Sequence, residues 1–239
     1  MPTYRHGRHE YGQNFLTDQS IIATITRLVV ATEGPIVEIG PGDGALTIPL
    51  ARLGRPVTAI EIDARLARCL SERLPSHVDV VSDDFLIYRL PTYPHVLVGN
   101  LPFHQTTAML RRMLHAPVWT NAILLVQWEV ARRRAGLGGA TMMTAQWAPW
   151  FEFTLHARVP SRAFTPRPGV DGGILTIYRR EHPLLPSTQR RQFHALVHRV
   201  YTGPGCGLAQ ILARNTALGS ARAAQAWLSR HGMTATGLP

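Results

Sequence analysis

Short, mostly apolar runs recur along the first three-quarters of the chain, separated by stretches with helical spacing. Residues 36–39, 57–60, 78–81, 95–98 and 122–126 are runs bounded by turn formers, which predicts strands buried on both faces. Residues 151–159 and 173–178 alternate enough for two further strands, making seven. Helical spacing falls between them. Ile21, Ile22, Ile25, Leu28 and Val29 form one apolar face, with Thr17 or Asp18 as its cap. Leu46, Leu50 and Leu53 mark a helix over 43–53, and 62–74, 106–114 and 129–135 supply three more. Strand and helix in alternation predict an α/β, doubly wound sheet with ligands at the carboxyl ends of the strands.

The pattern changes near residue 182. Residues 187–200, 207–215 and 221–230 read as three helices with outward arginines and no strand between them. The expected organisation is a basic N-terminal arm over 1–11, an α/β domain over 12–181 and a small helical domain over 182–239. His194 and His198 stand at i, i+4, but no third ligand accompanies them, so they read as an ordinary helix face and no metal is expected.

Composition narrows the class. With 239 residues and 45% apolar content the chain can bury a full core, and no apolar run is long enough to span a bilayer. The N-terminal residues are polar and basic, unlike a secretory signal. Cys69 and Cys206 are far apart and in no metal spacing, which suits free thiols in a reducing cytoplasm. The formal net charge is +10, an excess that suits a nucleic-acid partner. Every basic residue apart from histidine is Arg, which fits both genomic coding bias and bidentate phosphate contact.

The candidate chemistry begins at Gly40, Gly42 and Gly44, which follow the first predicted buried strand and precede a helix. Glycine admits a ligand close to the backbone, and the helix start offers free N–H groups. Glu61 ends the next strand, where such folds hold a ribose hydroxyl. Glu38 and Asp43 flank the turn and would repel a pyrophosphate. A ligand with a ribose and a positive centre fits better than a dinucleotide, and S-adenosylmethionine has both. Asp83 or Asp84, after the third strand, suits the amino group of adenine, and Phe85 suits its ring.

A second cluster follows the fourth strand: Asn100, Leu101, Pro102, Phe103, His104. Acceptors on Asn100 and near Leu101 can converge on an amino group, Pro102 stiffens the turn, and Phe103 offers a flat face to a base. Gln13 and Asn14 lie in a polar–aromatic segment before the first helix, within reach of a ligand. Arg111 and Arg112 face outward on a predicted helix. Arg132, Arg133 and Arg134 suit an RNA contact and a solvated face equally. Between Arg162 and Asp171, two prolines, Pro166 and Pro168, stiffen a loop that holds Phe164, Arg162 and Arg167, an arrangement suited to a base taken out of its stack.

Taken in this order, G-Q-N-F-L at 12–16, E-I-G-P-G-D-G-A-L-T at 38–47, Glu61, D-D-F-L at 83–86, N-L-P-F-H at 100–104, Q-W-E-V-A-R-R-R at 127–134 and F-T-P-R-P-G-V-D at 164–171 resemble the Erm-type ribosomal RNA adenine methyltransferases. The resemblance covers nearly the whole chain. It implies a Rossmann-like, seven-stranded class I methyltransferase domain with a C-terminal helical domain. It also implies methyl transfer from S-adenosylmethionine to the exocyclic amino group of one adenine in 23S rRNA, which in the family blocks macrolide, lincosamide and streptogramin B binding. By position it assigns Gln13, Asn14, Phe15, Gly40, Gly42, Glu61, Ile62, Asp84, Phe85 and Asn100 to the cofactor, and Asn100, Leu101, Pro102 and Phe103 to catalysis. Phe103 and Phe164 then hold the base, with Arg111, Arg112, Arg132, Arg133, Arg134, Arg162 and Arg167 on the RNA. The expected setting is a cytoplasmic monomer acting on 23S rRNA before the ribosome is fully assembled. Rival readings are a 16S rRNA adenine dimethyltransferase, a non-catalytic RNA-binding factor and, more remotely, an NAD-dependent dehydrogenase. His104 and the short C-terminal appendage favour the 23S branch.

Overall fold

The computed structural model describes residues 14–139, 141–204 and 207–233. The basic arm, Gln13 and Cys206 lie outside the described residues. The elements are β1 (Phe15–Leu16), α1 (Gln19–Val30), β2 (Ile36–Ile39), α2 (Thr47–Ala51), β3 (Val57–Glu61), α3 (Ala64–Ser71), β4 (Val78–Ser82), β5 (His95–Asn100), α4 (Thr106–His115) and β6 (Trp119–Gln127). They continue with α5 (Trp128–Arg134), α6 (Met142–Trp147), β7 (Phe151–Val159), β8 (Phe164–Thr165), β9 (Gly172–Arg179), α7 (Arg190–Thr202), α8 (Leu208–Asn215) and α9 (Ala221–Arg230).

Among the described residues, seven strands form one sheet in the order β4-β3-β2-β5-β6-β9-β7. The pairs from β4 to β6 are parallel, and β9 runs antiparallel to β6. All four residues of β2 are buried, as a strand covered on both faces requires. Strand order reverses between β2 and β5, so the loops after these two strands diverge and leave a crevice at their carboxyl ends.

Asp18 is the cap of α1, its carboxylate accepting from the Ser20 and Ile21 amides. Thr17 instead bonds the Ala163 carbonyl through both its amide and its hydroxyl. The helix expected over 43–53 is shorter, Thr47–Ala51. Gly42 and Gly44 have φ of +58° and +92°, outside any right-handed helix, so the chain must finish its turn before α2 can begin.

By compactness, described residues within Met1–Ala135 and Glu152–Arg179 form one unit, and those within Gly136–Phe151 and Arg180–Pro239 form another. The helical unit therefore takes in a segment that the sequence reading placed in the α/β domain. Side chains explain the difference. Trp147, at the end of α6, and Trp150 lie edge-on to the His194 ring of α7, at 4.7 and 5.8 Å, and the Gln146 amide donates to the His194 carbonyl. His194 is thus an aromatic packing residue. No His, Cys, Asp or Glu cluster among the described residues has the makings of a metal site. No described helix is long and apolar enough to cross a membrane.

Candidate active site

The crevice at the carboxyl ends of β2, β3, β4 and β5 opens into one cavity. Its walls include Asn14 and Phe15, the turn after β2, Glu61 and Ile62, the 83–85 segment, and Asn100 to Phe103. With Gln13 outside the described residues, every other residue that the sequence assigned to the cofactor or to catalysis lines this cavity. Glu38, Asp83, Gln105 and Met109 line it too, and belong to the same site.

Glu61 is 1% exposed. One carboxylate oxygen accepts from the Gly42 amide at 2.9 Å, the other from the Asp63 amide at 3.0 Å. The end of β3 thereby fixes the glycine turn after β2. Burial raises the Glu61 pKa, and the Asp63 and Gly42 N–H groups oppose the rise. At Gly42 the positive φ favours glycine, and an added Cβ would stand 3.0 Å from the Phe15 ring, which would have to give way. Phe15 is held there because β1 pairs antiparallel with β8, with Phe15 opposite Thr165 and Leu16 opposite Phe164.

Glu38 is equally buried, and its Oε2 has no hydrogen-bond partner among the described residues. Burial pushes its pKa up to about 8; the nearby Thr47 lowers it, and Glu61 adds to the rise. Asp83 and Asp84 both shape a turn. Asp83 accepts from the Asp84 amide, and Asp84 accepts from the Leu86 amide at 2.8 Å. Phe85 is buried beside them, whereas Ile62 is 42% exposed at the cavity rim.

At the end of β5 the Asn100 Nδ2 donates to the Asn14 carbonyl at 2.7 Å. A carbonyl accepts only, so the amide must present nitrogen to Asn14, which leaves its oxygen as the end available to a donor. The Pro102 carbonyl accepts from the Gln105 amide and the Thr106 hydroxyl. Phe103 is half-buried and lies edge-on to Phe164, with ring centroids 6.1 Å apart.

Three assignments need correction. Phe164 is 2% exposed and belongs to the apolar core, so it backs Phe103 and offers no free face to a base. Arg112 is part-buried, and donates from Nη2 to the Tyr88 carbonyl, which makes it a tether of the loop after β4. The arginine run does not share one face: Arg133 is exposed, Arg132 pairs with Glu129 at 2.8 Å, and Arg134 is 8% exposed. A seven-residue helix turns Arg134 inward even though its neighbours are solvated. Arg111, Arg162 and Arg167 are exposed as expected, and Arg167 also donates to the Ser161 hydroxyl at 2.9 Å.

Residues 4–233 match the ribosomal RNA adenine dimethylase family. An rRNA adenine N-6-methyltransferase of Corynebacterium diphtheriae is 60% identical over 215 residues, 90% of this chain and 85% of its own length. The mycinamicin-resistance protein MyrB of Micromonospora griseorubida is 49% identical over 234 residues, 98% of this chain and 74% of its own. The crystal structure of the 23S rRNA methyltransferase ErmE aligns with a TM-score of 0.86 at 35% identity, covering 94% of this chain and 92% of that one.

Proposed function

Since the chain belongs to the ribosomal RNA adenine dimethylase family, we propose that it transfers a methyl group from S-adenosylmethionine to the exocyclic amino group of one adenine in 23S rRNA. The supporting observation is the charge of the cavity. On a chain of net charge +10, the ionisable residues lining the site among the described residues are all acids, Asp43, Glu61, Asp83 and Asp84 with Glu38, whose own ionisation a bound cation would favour. Such a wall favours a ligand with a sulfonium and an ammonium and disfavours a pyrophosphate, which weighs against a dinucleotide.

The residues present fit that cofactor. Glu61 offers carboxylate lone pairs to a ribose, Asp83 and Asp84 offer acceptors to an adenine amino group, and the Oε2 of Glu38, without a hydrogen-bond partner among the described residues, is a buried polar group in the wall. Phe15 lying on Gly42 closes one side of the cradle. The cofactor supplies an electrophilic methyl on its sulfonium.

The protein's own part is orientation. An adenine amino nitrogen is a weak nucleophile because its lone pair is delocalised into the ring. The Asn100 oxygen and the Leu101 carbonyl, accepting its two N–H bonds, favour a pyramidal nitrogen whose lone pair points along one line. The hydrogen bond to Asn14 prevents the Asn100 amide from rotating, so its acceptor is set before the substrate arrives. Phe103 gives the base a face, and buried Phe164 holds that ring from behind.

Resistance to macrolides, lincosamides and streptogramin B follows in this reading, supported by a relative named for mycinamicin resistance. The substrate is 23S rRNA before full assembly, in the cytoplasm. The test is incubation of the protein with labelled S-adenosylmethionine and protein-free 23S or 16S rRNA, followed by mapping of the modified nucleotide by primer extension. Label at a single adenine of 23S rRNA is expected. Label only in 16S rRNA would move the protein to the small-subunit branch, and RNA binding without label would leave a non-catalytic factor.

A further inference from the structure

A second concavity lies on the α/β unit, away from the cofactor cavity, around Trp128, Arg158, Ser161, Arg167 and Asp171. It is held in place by its own bonds. The Arg158 guanidinium carbon sits 5.2 Å from the centre of the half-buried Trp128 ring, and Arg158 Nε donates to Asp171 Oδ2 at 2.8 Å. Asp171 Oδ1 accepts from the Ser161 amide at 2.8 Å, and its carbonyl accepts from the Trp128 amide at 2.9 Å. Arg167 Nε donates to the Ser161 hydroxyl. Both arginines are exposed, and each spends only its Nε on the described residues, so both guanidinium forks keep their outer N–H groups. Val170, at the rim, is 50% exposed.

A chain of packing also connects the concavity to Phe103. Gly172 directly follows Asp171, and a Cβ built on it would stand 3.2 Å from the Phe164 ring, which itself packs on Phe103. A flat indole–guanidinium stack, two free cationic forks and a carboxylate acceptor match one unpaired nucleotide: a base on the stack, its N–H groups toward Asp171, its phosphate on the forks. Resting on the rRNA reading above, we infer that this groove is a subsite for an unpaired nucleotide flanking the target adenine, with the Arg158 guanidinium backed by Trp128 as its stacking platform and the outer N–H groups of Arg158 and Arg167 as its phosphate contacts. The subsite helps select the RNA and takes no part in methyl transfer.

The test uses the full-length protein, S-adenosylhomocysteine to prevent turnover, and a stem–loop cut from 23S rRNA around the methylated adenine. Binding is measured for intact RNA and for RNAs with an abasic site at each flanking position in turn. Stacking of one base sets an expected loss of about fivefold or more in wild-type affinity at one flanking position. Trp128→Ala should lose as much on intact RNA and nothing further on that abasic RNA, while Trp128→Phe keeps the platform and the wild-type pattern. Arg158→Gln and Arg167→Gln, both at exposed positions, repeat the cycle and decide the matter should Trp128→Ala fail to fold. Variants that bind like wild type, or losses that multiply at every abasic position, overturn the subsite. Methylation of the stem–loop by the wild type, run alongside, separates the two readings. If it occurs and the variants are indifferent, only the subsite falls. If it does not occur, the rRNA reading falls and takes the subsite with it.

Discussion

The Asn100 amide nitrogen donates to the Asn14 carbonyl across 86 residues of sequence, at 2.7 Å. This bond ties the end of β5 to the segment that walls the cavity, so on the proposed reading one side chain would serve both substrate orientation and the shape of the cavity. Asn100→Ala should lower single-turnover methylation about 100-fold with saturating cofactor, the scale seen when one preorganised polar group is lost from a reaction centre. Asn100→Asp keeps acceptors but sets a carboxylate against the Asn14 carbonyl, so it should also weaken cofactor binding. Single-turnover rates beside calorimetry on both variants check this; near wild-type turnover in Asn100→Ala would sink the proposed role.

Glu61 at a strand end reads from sequence as a ligand residue whose loss the fold would tolerate. Its bonds to the Gly42 and Asp63 amides change that expectation. Glu61→Ala should weaken S-adenosylmethionine binding by about 1.5–3 kcal/mol, the scale of a hydrogen bond to a charged group. It should also lower the melting temperature of the ligand-free protein, because the glycine turn loses its anchor. A thermal melt and calorimetry on the same sample check both, and unchanged affinity in a folded variant would remove Glu61 from the cofactor site.

Glu38 supplies a pH dependence. Its folded pKa of about 8 lies above the ordinary 4.5, so the folded protein binds a proton there that the unfolded chain has released. The stability tied to that proton is complete below about pH 4.5 and is lost as pH rises through about 8. Glu38→Gln removes this loss. Between pH 6 and 9 the ligand-free wild type should fall in stability relative to Glu38→Gln, by an amount on the order of a few kcal/mol. Parallel denaturation curves across that range would contradict the assignment.

The arginine run separates by burial. Arg132→Gln with Arg133→Gln should reduce the slope of log affinity against log salt for RNA by roughly 1–2, one unit for each phosphate no longer neutralised, without changing cofactor affinity. Arg134→Gln should lower the melting temperature, since the Arg134 side chain is buried and the shorter Gln leaves part of its packing space unfilled. A salt slope that the double variant leaves untouched would return Arg132 and Arg133 to the solvated surface.

Phe103 is the half-buried ring of its pair. Phe103→Tyr should retain activity, and Phe103→Ala should lose stacking worth about 1–3 kcal/mol. Methylation rates that are equal in the two variants would argue against stacking on the base.

Much of this protein is written in its sequence. Apolar runs alternating with helical spacing specify the seven-stranded α/β fold, because a strand covered on both faces must be apolar throughout, as β2 is. The glycine turn, the acids at strand ends and the 100–103 turn are local motifs that neighbouring residues in the chain suffice to recognise. The three terminal helices were equally legible. What the sequence could not decide depends on which distant surfaces meet. Phe164 and Phe103 both read from the sequence as aromatic residues in loops, yet only packing buries one and leaves the other half-open. Nothing in R-R-R distinguishes Arg134; the position of α5 against β9 and β6 does. Segment 136–151 joins the helical unit because two indoles find the ring of His194. Spacing along a chain records which residues seek burial, whereas their partners are fixed only when strands far apart in sequence come together, as Phe15 opposite Thr165 brings Asn14 to Asn100.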